Sequence, residues 1–415
     1  MKSKIITWFK GILKKSEKYT ETDMTYAVKG SFWIILANLG IFAVSFAKMI
    51  AFGRYASPEV YGTYNFIISM AGILSIFALS GISTSLVKAI AQNKDGTLLL
   101  AVKEKIKFGL IGSLFSFGAS CWYLYNNNTT LWLGFLAVAI ALPFYNAFAL
   151  YSSFWFGKKN FEKKGKYEFA SAAITAVLVI ATIMVTQNPA YMIIVLFGSN
   201  TILHGFFLLR TLKQKENNDV FLGAIGFGKH LTIMSAIGTV VDHIDKIILW
   251  KLFGPVQLAT YAFAQIPVQY IQGIIPIGAL ALPKMGEKSV GSIKLGIIKK
   301  FKKLFLITIP ATIVIILLAP YLYTLFIPQY MDSVPYFQLF ALLILLSPFG
   351  LISTAITAEM RSRDLYIINT VTPVLKIGLF LVLIPLFGVW GLVWAIVLTT
   401  VFSGLLSLFF FNKIV

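Results

Sequence analysis

Acidic residues are scarce in this chain. Sixteen Asp and Glu stand against 36 Lys and Arg, and charged residues of both signs make up only 13% of the 415 positions, where soluble domains carry about 25%. Cysteine occurs once, at Cys121, which excludes an intramolecular disulfide and a thiolate metal cluster. No Gly-rich loop ending in GKS or GKT is present, so direct drive by ATP within the chain is not expected. A G-x-S-x-G elbow and an H-E-x-x-H pair are absent too. No small-residue cleavage site follows a short apolar core at the N-terminus, so a cleavable signal peptide is not expected. The chain therefore reads as a non-enzyme, with no metal and no cofactor implied.

What the chain has instead is apolar length. Hydrophobic residues fill 58% of it and the mean hydropathy is +0.81. A membrane crossing takes about 20 predominantly apolar residues. Twelve such stretches are read at 29–53, 60–87, 106–125, 131–156, 167–187, 190–210, 230–253, 257–283, 304–327, 335–357, 366–387 and 389–411, the last two separated only by the Phe387-Gly388 turn.

Lys and Arg crowd into alternate gaps between these stretches. Those gaps hold Lys88 to Lys107, Lys158 to Lys166, Arg210 to Lys229, Lys284 to Lys303, and Arg361 with Arg363. The remaining gaps hold only Arg54 and Lys251. This alternation orients a multi-pass inner-membrane protein with both termini in the cytoplasm. The net charge of +20 is then an attraction to anionic lipid rather than to nucleic acid, for which no loop is long enough to build a basic domain. Residues 1–27 place Ile5, Trp8, Phe9, Ile12 and Leu13 at helical spacing among lysines. An amphipathic helix on the inner leaflet and a solvated basic tail both fit that pattern.

A repeat is visible at an offset of 197 residues. Arg54-x3-Pro58 and Thr63-Tyr64 lie over Lys251-x3-Pro255 and Thr260-Tyr261, and Gly81 lies over Gly278. An offset of six crossings keeps both copies in one orientation, so two six-helix halves are expected about a pseudo-two-fold axis along the membrane normal, around a central cavity. The expected division is 28–211, a cytoplasmic linker at 212–229, and 230–415. The eighth crossing carries Pro267, Gly273, Pro276 and Gly278, which predicts a bent helix lining the cavity.

Charges inside crossings each cost about 2.5–3.5 kcal/mol unless paired or hydrated. The seventh crossing holds Asp242, His243, Asp245 and Lys246. Asp242 and Lys246 are four apart and can pair, and the repeat sets Lys48 opposite Asp245 across the cavity. Lys376 has no acidic residue in its own crossing and needs water, a partner such as Asp242, or an anionic substrate. The expected cationic, substrate-binding positions are Lys48, Arg54, Lys246 and Lys376; the expected coupling or gating positions are Asp242, Asp245, His243, Pro267 and Pro276. For Arg54 and Lys251, contact with lipid headgroups is an equally simple reading. The excess of cations favours a phosphate or pyrophosphate over an organic cation.

Three stretches together resemble the polysaccharide flippases of the MOP exporter superfamily, particularly the O-antigen flippases. They are Arg54-x3-Pro58-x2-Tyr61-Gly62-x-Tyr64, Gly81-Ile-Ser-x-Ser85, and Asp245-Lys246-x8-Pro255-x5-Tyr261. The resemblance implies movement of an undecaprenyl-diphosphate-linked oligosaccharide from the inner to the outer leaflet by alternating access. It also implies roles for Arg54, Asp245 and Lys246, and partners in an outer-leaflet polymerase and a chain-length regulator. The Lys-rich residues 1–27 depart from the family pattern. Coupling to H+ or Na+ is open at this stage. The rival readings are a multidrug or metabolite antiporter of the same superfamily, which would need an acidic cavity, and a membrane glycosyltransferase or polymerase, which would need a large outer loop. A facilitator of the major facilitator type would carry a Gly-x3-Asp-Arg-x-Gly-Arg motif in the 88–107 loop, and none is there.

Overall fold

The computed structural model describes residues 24–274, 290–359 and 361–414, and these are helical nearly throughout. The helices in order are α1 Met24–Tyr55, α2 Pro58–Leu74, α3 Gly81–Ala91, α4 Thr97–Tyr125, α5 Thr129–Phe148, α6 Leu150–Gly157, α7 Phe161–Val185 and α8 Pro189–Leu212. There follow α9 Leu222–Ile274, α10 Val290–Phe326, α11 Val334–Leu345, α12 Phe349–Ala358, α13 Ser362–Phe387 and α14 Val389–Asn412. Among the described residues nine helices are long and apolar enough to cross a membrane, or ten if the pair bent by 43° between α11 and α12 forms one crossing. The expected Pro276 and Gly278 positions, and residues 1–23, lie outside the described residues.

Two expected crossings do not appear as separate apolar helices. In α4, Ser113, Ser116 and Ser120 dilute the apolar character. Each donates its hydroxyl to a backbone carbonyl of α5, at Ala139, Phe135 and Trp132 respectively. Small residues let membrane helices approach closely, and Gly109 lies against Pro143 in the same seam.

The other case is α9, whose 53 residues run through the expected seventh and eighth crossings. Gly254 interrupts it with φ 81° and ψ −179°, a conformation open essentially to glycine alone. The Tyr261 hydroxyl reaches the Asp245 carboxylate at 2.5 Å, although 16 residues of straight helix would separate them by about 24 Å. The chain therefore folds back at Gly254. In the first copy of the repeat the matching reversal is an ordinary break, with Ser57 capping α2 and Pro58 in its first turn.

The two halves of the chain share one core on the side poor in lysine. It joins Phe52, Tyr61, Tyr64 and Ile193 to Leu249, Phe263, Tyr330 and Phe340. Arg54 donates to the carbonyls of Phe326 and Leu325 at 3.0 and 2.6 Å, and Gln329 donates to the carbonyls of Gly53 and Ala56. On the basic side the described core divides. One cluster, with Leu86, Phe154 and Ile225, serves the first half and the start of α9; another, with Ile352, Ile356 and Phe411, serves the second half.

The segment joining α8 to α9 is fastened to the first half. The fully buried Asp95 accepts the Glu216 N–H at 3.0 Å and pairs with Lys158 at 3.0 Å, while Lys158 also pairs with Glu216 at 2.9 Å. Partial burial pulls the pKa of Lys158 down, and the carboxylates of Glu216 and Asp95 more than reverse it, leaving it above its ordinary value. Gly96 lies under the Asn218 carbonyl, where a Cβ would not fit.

Gly254 and Gly238 both have open space around them, so only backbone strain separates their replacement by alanine. Gly254→Ala is expected to lower stability by roughly 1–3 kcal/mol and Gly238→Ala to leave it unchanged or raised, as read from thermal unfolding of the purified protein.

Candidate functional site

A cavity of ≈ 480 Å³ lies where α2, both arms of α9 and α13 meet. Its charged lining is Asp242, His243, Asp245, Lys246 and Lys376. Three helical spacings place its polar groups: Asn65 and Ser69 on α2, Asp242 to Lys246 on the first arm of α9, and Gln265, Gln269 and Gln272 on the second. The last set repeats at i, i+4 and i+7, one helix face.

Asp245 is the fixed centre of this site. Its carboxylate, in a residue 1% exposed, accepts from the Tyr261 hydroxyl at 2.5 Å and lies 3.4 Å from the Lys246 ammonium. The Lys246 backbone N–H also donates to it at 2.8 Å. Gln265 braces the arrangement by donating to the Tyr261 oxygen at 2.7 Å and to Asp245 at 3.5 Å. A carboxylate this deep is tolerable only when its charge is countered and its lone pairs are occupied.

The second pair is looser. Asp242 and Lys376 stand 3.8 Å apart, with the Asp242 side chain 74% exposed and that of Lys376 17%. Lys376, the cation without an acidic partner in its own helix, thus meets Asp242 across helices. The lysine lies 5.7 Å from the Phe380 ring, a further cation contact. His243 lies over Gly72 of α2, where any Cβ would collide with its ring.

Several expectations need correction. Asp242 pairs with Lys376 and not with Lys246, whose ammonium turns to Asp245 and to the Asp242 backbone carbonyl at 3.4 Å. Asp245 does not pair with Lys48, because Tyr261, brought back by the reversal at Gly254, and Lys246 already occupy it. Of the four cations expected to line the cavity, Lys246 and Lys376 do; Lys48 and Arg54 do not. Lys48 is half-buried in α1 and joins no ion pair among the described residues. Arg54 is drawn to free carbonyls at the end of α10. The cavity is consequently balanced, two ammonium groups against two carboxylates, and the cationic excess counted along the chain lies outside it.

Pro267 falls on the boundary of a second, apolar cavity of ≈ 220 Å³, with Phe42 and Phe46 of α1, Ile271 of α9, and Ile315 and Phe326 of α10. Between 265 and 272, α9 therefore separates two spaces: its glutamines face the ion pairs, and Pro267 and Ile271 face the apolar cavity. The glutamine row was missed in the sequence, although three glutamines on one face of an apolar helix are its signal. Among the described residues no group of His, Cys, Asp and Glu could hold a metal ion.

The family model described as "polysaccharide biosynthesis protein" matches residues 27–287, more than half of the chain and including both arms of α9 and the Asp245 centre. The chain belongs to this family. No curated protein matches the sequence. Among solved structures it is similar to the lipid II flippase MurJ in an inward closed conformation, with TM-score 0.71 and 12% identity over 93% of this chain and 88% of that one. A MATE transporter bound to MaL6 gives TM-score 0.63 and 13% identity over 93% and 95%. A MOP-superfamily transporter from Pyrococcus furiosus, described by the reverse polarity of its binding pocket, gives 0.55 and 14% over 94% of each chain. At these identities the likeness establishes the fold alone, an all-helical one with several apolar helices long enough to cross a membrane.

Lys246→Ala leaves the Asp245 carboxylate buried without a counter-charge and is expected to lower stability by about 3–5 kcal/mol, whereas Asp245→Asn/Lys246→Met recovers most of the loss. Asp242→Asn, at an exposed and longer pair, is expected to cost no more than about 1 kcal/mol. Thermal melts of the four proteins in one detergent make the comparison.

Proposed function

We propose that this protein is a flippase that moves undecaprenyl-diphosphate-linked oligosaccharide, the repeat unit of an O-antigen or similar polysaccharide, from the inner to the outer leaflet of the bacterial inner membrane. The observation that carries the reading is the division made by α9 between an ion-lined cavity and an apolar one. A ligand fitted to both has a charged headgroup and a hydrocarbon tail. The family match supports the polysaccharide context.

In this reading the tail stays in apolar surroundings while the diphosphate crosses a polar interior, which avoids exposing a doubly charged group to hydrocarbon. Lys376 is the cation that receives it. Asp242 is its resting counter-ion, held at 3.8 Å and largely exposed, so a diphosphate can displace it without disturbing the Asp245 centre. Two halves, 28–211 and 230–415, joined by the linker at 212–229 and together making twelve crossings, would rock about this cavity. The core shared on the lysine-poor side and the divided cores on the basic side support a state closed at the first and parted at the second. The basic loops support a cytoplasmic position for the parted side and for both termini. Asp242 and His243 reach the cavity and are the coupling candidates, for H+ or Na+. A polymerase and a chain-length regulator in the outer leaflet are the partners this product implies.

Deletion in the host is expected to accumulate lipid-linked repeat units on the cytoplasmic face and to abolish surface polysaccharide, and wild type to restore it. Lys376→Ala, at normal expression, is expected to lower transport roughly tenfold or more, the effect of losing one charge-assisted contact. Intact surface glycan with raised drug sensitivity would instead assign the antiporter function of the same superfamily.

A further inference from the structure

A second polar cleft, of ≈ 390 Å³, opens beside the ion-lined cavity and shares Gln272, Leu343 and Lys376 with it. It lies within the second half of the chain, between α12, α13 and α14, and runs from Lys376 toward the basic side. Hydroxyl side chains dominate its polar lining.

Serine and threonine in a membrane helix ordinarily return their hydroxyl to a carbonyl one turn back. Thr399, Thr400 and Ser407 of α14 do so, at 2.8 Å each. Four other hydroxyls that line the cleft do not. Those of Ser347, Ser353, Thr372 and Ser403 make no hydrogen bond among the described residues, and the Thr372 oxygen is fully shielded from solvent as well. Unpaired hydroxyls inside a membrane protein are costly, and a ligand carrying hydroxyls of its own removes that cost.

Two further features specify such a ligand. Phe349 offers an aromatic surface at the cleft, buttressed by edge contacts to Phe301 and Phe305 and by Gly404, where any Cβ would meet its ring. Lys376 stands at the border between the ion-lined cavity and the hydroxyl-lined cleft and belongs to the lining of both. A molecule with an anionic group at one end, many hydroxyls beyond it and an apolar ring face matches this order. That is a sugar attached to a phosphate.

We infer that this cleft is the glycan subsite of the transporter, holding the sugars next to the diphosphate through the hydroxyls of Ser347, Ser353 and Ser403. The inference rests on the flippase reading above and adds to it where the carbohydrate is recognised.

The test uses the full chain in liposomes and two probes: bare undecaprenyl diphosphate, and the same lipid bearing the host's complete repeat unit. Ser403→Leu fills the cleft, Ser347→Ala/Ser353→Ala removes two hydroxyls without adding bulk, and Lys376→Ala removes the cation. The first two variants are expected to slow the glycan-bearing probe roughly tenfold, as two lost hydroxyl contacts predict, and to leave the bare probe at the wild-type rate. Lys376→Ala is expected to slow both. If the two cleft variants slow both probes equally, or neither, the glycan subsite is overturned while the flippase reading stands. If wild type moves neither probe, the flippase reading itself fails and the subsite with it. Should Ser403→Leu not fold, the near-isosteric double variant decides the matter alone.

Discussion

A carboxylate buried in the middle of a membrane-crossing helix has to be neutralised, and the way Asp245 is neutralised organises the rest of this molecule. Its partners are Lys246, the adjacent residue, and Tyr261, which arrives only because the chain reverses at Gly254. The charge thus pins the two arms of α9 together. Their packing against α2 then builds the core common to both halves of the chain, in which Phe66 stacks on Trp250 with centroids 4.0 Å apart and Tyr61 meets Phe263 at a tilt, at 4.3 Å. With Asp245 committed, the cavity is left with a single loose pair, Asp242 and Lys376.

This division of labour resolves what the charge count alone leaves ambiguous. A permanently cationic cavity would carry an uncompensated charge through every unloaded state, at a cost of several kcal/mol in the membrane. A balanced cavity avoids that cost by supplying its own anion. In the proposed mechanism Asp242 is that anion in the empty state, and its long contact with Lys376 would make exchange for a phosphate a small step. The remaining cations do other work. Arg54 ties the end of α1 to the end of α10 on the lysine-poor face.

Much of this was legible in the sequence because charge in a membrane is so constrained. The apolar runs gave a multi-pass helical chain, and the isolation of Lys376 in its own helix left Asp242 among its three possible partners. The repeat aligned Pro58 with Pro255, and both follow a chain reversal. What could not be read were contacts made by reversal and by backbone. Tyr261 stands beside Asp245 only after the turn at Gly254, whose unusual φ has no signature beyond glycine itself. Arg54 is satisfied by carbonyls, which every residue offers, so no sequence partner marks it. Lys48 was set against Asp245 by symmetry, yet the two copies differ there, the second having its own lysine next in sequence. The glutamines of α9 and the hydroxyls of α13 and α14 were visible as residues, but which faces meet is a property of packing.

The central claim is that Lys376 receives a diphosphate and that Asp242 stands in for it. Binding of undecaprenyl diphosphate to the purified full chain, followed by native mass spectrometry, tests it most directly. The account predicts weaker binding to Lys376→Ala and tighter binding to Asp242→Asn, in which the internal competitor is gone. Equal binding by wild type and Lys376→Ala, or weaker binding by Asp242→Asn, would contradict it.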